Sequence, residues 1–196
     1  MDSLQRFADL FDDEIKRWDA TGTGHPSKAE VEAVGSRLGV ALPEDYVEFQ
    51  CTYGALHVEV LEEIWPRPTI GHGAPFWTML YGFSVIGVGE GAPEWLDIEE
   101  VTRTWREEHR ELGFTNLDGI VPFFSYVDNA DFACFTEQGG IVEWSHEVPD
   151  GFEHHQGTFG EYVVEKLSDL VAYKRAIAEA VRNHGDSWAS EAKYPL

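Results

Sequence analysis

Apolar residues recur at helical spacing from the start of the chain. Leu4, Phe7, Phe11, Ile15 and Trp18 follow one another at intervals of 3, 4, 4 and 3, which puts them on one face and predicts an amphipathic helix over residues 3–19. TGTGHPS (21–27) reads as a loop between this N-terminal extension and the main body. Ser27 and Glu30 then have capping-box spacing, with Ala29, Val31, Val34 and Leu38 facing inward and Gly39 stopping the helix. Leu42-Pro43-Glu44-Asp45-Tyr46 opens another helix. Proline suits a first helical position, and the two acids suit the positive end of the helix dipole. Tyr46, Phe49 and Tyr53 share its buried face, and Gly54 ends it.

Further along, the period changes. Residues 56–60 alternate like a strand, and FWTMLYGFSVIGV (76–88) predicts one or two strands with Gly82 and Gly87 as irregularities. Asp97 and Glu100 cap a helix that carries Ile98, Val101, Trp105 and Leu112 and ends at Gly113. Residues 120–147 read as a meander of three strand-like runs, IVPFFSYV, DFACFT and IVEWSHE. Asp128-Asn129-Ala130 and Glu137-Gln138-Gly139-Gly140 join them. Pro122 has no N–H to donate, so the first run begins at a sheet edge or a bulge. A polar loop follows, then a second capping box, Thr158 and Glu161. It opens a helix carrying Phe159, Val163, Leu167, Leu170, Ile177 and Val181. This order predicts an α+β fold, a mostly antiparallel sheet with helices packed on it. The chain divides into an N-terminal helical extension (1–24), a main domain (25–184) and a loose C-terminal tail (185–196). Tyr46, Phe49, Trp105, Phe123, Trp144 and Leu167 are expected to share one core.

Composition narrows the function. The 196 residues are 43% hydrophobic and 13% aromatic, enough for one domain with a sizeable core. Lys and Arg number 14 against 36 Asp and Glu, a formal net charge of −22. Such a chain is repelled by nucleic acid and by anionic membranes, and attracts cations, metals or basic proteins. Cys51 and Cys134 match no metal or redox spacing and are expected to be two free buried thiols in a reducing cytoplasm. The first residues lack a basic-then-apolar signal, and no apolar run approaches the roughly 20 residues of a membrane span. A cytoplasmic location is expected.

A search for chemistry finds little. There is no phosphate-binding loop, no dinucleotide fingerprint, no G-x-S-x-G elbow and no H-E-x-x-H. His146-Glu147 with Glu153-His154-His155 is the only local cluster that resembles metal ligands, and its spacing fits no site geometry well. Cys51 and His57 would be a nucleophile–base pair only if a helix-borne thiol flanked by Phe49 and Tyr53 were exposed. The expectation is no catalytic residue, no metal and no cofactor. One distribution stands out: from Glu111 through Glu165 there are eleven carboxylates and no Lys or Arg. Lys166, Lys174, Arg175 and Arg182 follow on the last helix. If one face of the meander is covered by helices, the other presents a concentrated negative field. That field is either a solvated acidic face or a surface aimed at a partner.

SKAEVEAVGSRLGVALPEDYVEFQCTY (27–53) resembles the opening of SUKH superfamily domains, through Leu42, Pro43, Tyr46, Phe49 and Gly54. The second matching stretch is Ile120–Glu147. Val121-Pro122-Phe123, Asp128/Asp131, Gly140-Ile141-Val142-Glu143-Trp144 and His146-Glu147 follow the family's order, and Thr158-Phe159 with Glu161-Tyr162 resembles its closing helix. The chain departs from the pattern at Tyr53-Gly54-Ala55, where the family has an Asn-Gly-Gly-like turn, and at Tyr126–Ala130, where it has a glycine-rich turn. The helix at 97–112 and the N-terminal extension look like additions.

The resemblance implies an α+β binding domain without catalysis. Bacterial members are similar to immunity proteins encoded beside polymorphic toxins, many of them nucleases, and fungal ones to regulators of cell-wall synthesis that act as scaffolds. The leading expectation is an immunity protein that binds a cognate toxin with a basic contact face, with no direct contact to nucleic acid or membrane. Asp128, Asp131, Glu137, Glu143 and Glu147 are the candidate contacts. A regulatory scaffold of the same fold is the alternative, and a metal-dependent hydrolase using residues 146–155 a more distant one.

Overall fold

The computed structural model describes residues 3–14, 18–60, 80–111, 113–114, 117–127, 131–145 and 152–184. Within these, five helices surround one seven-stranded sheet whose spatial order is the chain order and whose pairs are all antiparallel. The strands are β1 (Trp18–Gly22), β2 (Leu56–Val60), β3 (Gly82–Val85), β4 (Val121–Tyr126), β5 (Phe132–Phe135), β6 (Ile141–Trp144) and β7 (Phe152–His155). The helices are α1 (Ser3–Glu14), α2 (Lys28–Leu38), α3 (Glu44–Tyr53), α4 (Ile98–Glu111) and α5 (Phe159–His184). The fold is α+β, as the pattern predicts.

Helix boundaries follow the caps. Ser27 and Glu30 form the reciprocal capping box of α2, and Gly39 closes it in the left-handed region at φ 75°. The Asp97 carboxylate accepts from the N–H groups of Glu99 and Glu100 at 3.0 and 3.1 Å and starts α4. Thr158 and Glu161 box the start of α5. Pro43 stands at the N-cap of α3, whose first turn carries Glu44 and Asp45.

Directly paired residues share a face of a sheet. One face carries Leu56, Val85, Phe124 and Ala133 in a row, with Phe135 and Ile141 beside them. Helices α1, α3 and α5 cover it. Tyr46 meets Phe135 at 4.9 Å, Phe159 meets Phe123 at 5.6 Å, and Phe7 meets Phe49 at 5.1 Å. The opposite face carries Phe132, Trp144 and Phe152. Helix α4 packs there, with Trp105 and Trp144 edge to face at 6.0 Å. Helices therefore lie on both sides of the sheet.

Three expectations change. Trp18 does not continue the first helix: it opens β1, paired with Val60, because Thr21 and Gly22 are weak helix formers and β2 offers a free edge. The six expected core residues divide in two: Tyr46, Phe49, Phe123 and Leu167 lie in the larger cluster, Trp105 and Trp144 in the smaller one across the sheet. The loop expected before the last helix holds a seventh strand, β7, paired with β6. Of the two places expected for Pro122, the structure shows the bulge: the residue sits in a central strand, and the register shifts between Pro122 and Phe124. Residues 76–79 and 185–196, read as strand and tail, lie outside the described residues, as do Ile15 and Leu112.

Helix α1 is joined to the body through its apolar face. Phe7 is fully buried and meets Phe49 and Tyr53 edge to face.

Candidate interaction surface

Among the described residues, the acidic segment does not form one continuous face. Glu137 is exposed in the β5–β6 turn, and its backbone carbonyl accepts from the Ala41 N–H at 3.0 Å. This contact ties the turn to the α2–α3 connection. Asp131 is half-buried just before β5, where its carbonyl accepts from the Ser125 hydroxyl at 3.0 Å. Asp128 and Glu147 lie outside the described residues.

Glu143 points the other way. Glu143 and Ile141 are separated by one residue on β6 and share the face covered by α5. Its carboxylate accepts from the Tyr162 hydroxyl at 2.9 Å and lies 2.8 Å from Lys166 Nζ. Burial pushes its pKa up, but the Lys166 hydrogen bond and charge and the Tyr162 hydroxyl outweigh that and hold it below the ordinary carboxylate range. Burial also pushes the Tyr162 hydroxyl up, with the Glu143 charge adding to it. Glu143 thus has partners inside the chain, and the first cation of the basic run on α5 is spent on it.

Sequence reasoning missed Glu153. It lies opposite Glu143 on β7, exposed on the outermost strand of the sheet. A charge there protects an edge from unwanted strand pairing. Strand alternation also separates the ligand-like run: Glu153 and His155 share one face, and His154 takes the other. His155 stands edge-on to Tyr162 at 4.9 Å. Among the described residues, no group of three or more His, Cys, Asp or Glu is placed to hold a metal; His146 and Glu147 lie outside them.

Cys51 is half-buried on α3 and packs against the core, while Cys134 is buried, and burial pushes its thiol pKa up. His57 turns to other partners. Its Nδ1 lies 2.9 Å from Ser84 Oγ and its Nε2 3.2 Å from Glu59 Oε1. A hydroxyl, an imidazole and a carboxylate in series resemble a nucleophile with its base, but Ser84 lies inside β3, whose backbone is paired on both sides by β2 and β4. A mid-strand serine lacks the spare N–H groups that an oxyanion needs. The three groups satisfy one another.

The motif residues have structural duties. The Tyr46 hydroxyl donates to the Ile86 carbonyl at 2.9 Å inside the core. Leu42 packs against the larger cluster, Phe49 is fully buried in it, and Trp144 is buried against α4. Gly54 ends α3 at φ 66°, its N–H donating to the Gln50 carbonyl. In the β5–β6 turn the demanding position is Gly139 rather than Gly140: Gly139 has φ 79°, and a Cβ there would sit 2.6 Å from the Ala41 carbonyl oxygen.

No helix among the described residues is long and apolar enough to cross a membrane. No curated protein matches the chain. The model of the SMI1/KNR4 family (SUKH-1) matches residues 25–171, from just after β1 into α5. The matched span includes the Leu42–Gly54 helix, the β4–β6 meander and the boxed start of α5, and the chain belongs to the SMI1/KNR4 family (SUKH-1).

Proposed function

We propose that this chain is an immunity protein that binds a cognate bacterial toxin in the cytoplasm and neutralises it by occupying a basic surface. The family is generally one of non-catalytic immunity and regulatory proteins. The observation that carries the reading is the run of eleven carboxylates without a Lys or Arg from Glu111 through Glu165, in a chain of net charge −22. A nuclease toxin holds phosphates on a basic surface, and an acidic inhibitor competes for it. Opposite fields also speed the encounter.

Exposure favours some of the candidate contacts over others. Glu137 and Glu153 are exposed and are the leading contacts, with half-buried Asp131, and Asp128 and Glu147 outside the described residues, as further candidates. Glu143, tied to Lys166 and Tyr162, contributes by shaping β6 rather than by direct contact.

The test is co-expression with the toxin encoded beside this gene. The chain should rescue growth and co-purify with the toxin, and the pair Glu137→Lys and Glu153→Lys should weaken both effects. A chain that neither binds nor protects against any neighbouring gene product would instead favour a regulatory scaffold.

A further inference from the structure

Among the described residues, Trp95 is the one large hydrophobic side chain that stands exposed, at 55%. It is held in place rather than trailing. The turn beneath it is closed by the N–H groups of Leu96 and Asp97, which both donate to the Pro93 carbonyl, at 2.8 and 3.0 Å. Leu96 anchors that turn in the interior, and the His57 ring meets the indole edge to face at 4.8 Å. At contact surfaces tryptophan is among the residues that carry most binding energy.

Beside Trp95 lies an open depression of about 340 Å³. Trp95, Trp105, Phe132 and Val101 supply its apolar walls, and Glu94 and Glu108 stand on it as exposed carboxylates. Three other acids of α4 are matched: Glu99 pairs with Arg37 at 2.7 Å, and Glu100 and Glu107 pair with Arg103 at 2.6 and 3.0 Å. Glu94 and Glu108 have no cationic partner among the described residues. Both carboxylates that flank the aromatic walls are thus left unmatched.

We propose that this depression receives an arginine side chain of a basic protein partner. A planar guanidinium can lie on an indole face while its N–H fork reaches a carboxylate, which a compact and strongly hydrated ammonium does less well. An apolar peptide would leave Glu94 and Glu108 without partners. A second copy of this chain would bring like charge, since each copy carries a net −22. The proposal rests on the immunity reading only for the identity of the partner. The chemistry of the depression stands without it.

The probe is a short peptide bearing two arginines between glycines, with lysine and citrulline versions as comparisons. Each is titrated into the full chain at low salt while the indole N–H resonances are followed by NMR, with Trp95→Phe used to assign the relevant signal. The arginine peptide should move the Trp95 signal. Its affinity should fall at least about tenfold in Trp95→Ala, and again in the pair Glu94→Gln and Glu108→Gln. All three residues are exposed, so thermal melts should be unchanged. The pair Glu137→Gln and Glu153→Gln should retain most of the binding. The proposal is overturned if the depression variants bind like the parent, if the Glu137/Glu153 pair loses as much, or if the lysine peptide binds as tightly as the arginine one. Failure here differs from failure of the immunity reading. A toxin that binds Trp95→Ala normally removes this site and leaves that reading intact, whereas a seated arginine peptide with no toxin to be found does the reverse.

Discussion

The Asp45 carboxylate, in the first turn of α3, accepts a hydrogen bond from the Gly160 N–H at the start of α5, 2.7 Å away and 115 residues along the chain. One acid thus serves two helix N-termini: its other oxygen is 3.1 Å from the Tyr46 N–H. Gly160 also lies against Ser3 of α1, so three helices meet at this point. Asp45→Ala should cost about 1 kcal/mol in urea unfolding, the usual value of a lost N-terminal cap, while Asp45→Asn, which can still accept, should cost less. Equal losses in the two variants would show that the carboxylate charge, not the cap, is what matters.

Trp144 is the keystone of the smaller core. It is 6% exposed and touches His109 at 4.4 Å and Trp105 at 6.0 Å. Trp144→Ala should cost ~3–5 kcal/mol by chemical unfolding. Its indole N–H has no acceptor among the described residues, so Trp144→Phe should recover much of that loss. A Trp144→Ala protein as stable as the parent would refute the packing of α4 on this face.

Gly139 should tolerate no side chain. At φ 79°, with the Ala41 carbonyl 2.6 Å from the position of a Cβ, Gly139→Ala combines backbone strain with a clash. The expected cost is ~1–3 kcal/mol. Gly140→Ala, whose nearest obstacle is the Thr136 hydroxyl at 3.2 Å, should cost less in the same melt. Reversal of that order would mean that the turn adopts another conformation.

Acid should loosen the sheet–α5 contact at Glu143. Its carboxyl is held below its ordinary range in the folded chain, so the stabilisation it contributes is full above the unfolded value of about 4.3 and is lost as pH falls through the lower folded value. Because Glu143 is partly exposed, the Lys166 pair is worth only on the order of 1 kcal/mol. The stability gap between the parent and Glu143→Gln should be constant near neutrality and close below about pH 4. A gap that widens in acid would contradict the assignment.

The sequence makes some of these features legible and hides others for physical reasons. Capping boxes and the Pro43–Gly54 helix depend on local spacing, and the structure has them where the residues place them. Trp18 fits a helical period, yet pairing with β2 decides its conformation, and that partner is about 40 residues away. Strand β7 is only four residues long and reads FEHH, too polar and too short for alternation to stand out. Trp105 and Trp144 look like any other core aromatics, because periodicity gives burial but not which side of the sheet is buried. The same limit applies to Glu143. A carboxylate between Val142 and Trp144 reads as outward-facing, and only the register of β6 against β5, with Lys166 and Tyr162 above it, turns it toward α5. Trp95 escapes because a tryptophan in a turn has no periodic pattern to mark its exposure.

The central claim is toxin neutralisation through an acidic surface, and binding kinetics against the cognate toxin at low and moderate salt test it most directly. The parent chain should associate fast at low salt and markedly more slowly as salt screens the field. The pair Glu137→Lys and Glu153→Lys should slow association by about tenfold or more at low salt, and should approach the parent at moderate salt. Glu32→Lys is the control: Glu32 is exposed on α2, away from the meander, whereas Glu30 is committed to its capping box. That control should behave like the parent. Association that is flat across salt, or equal slowing by the Glu32 and Glu137/Glu153 variants, would contradict the account and leave the acidic residues as a solvated surface.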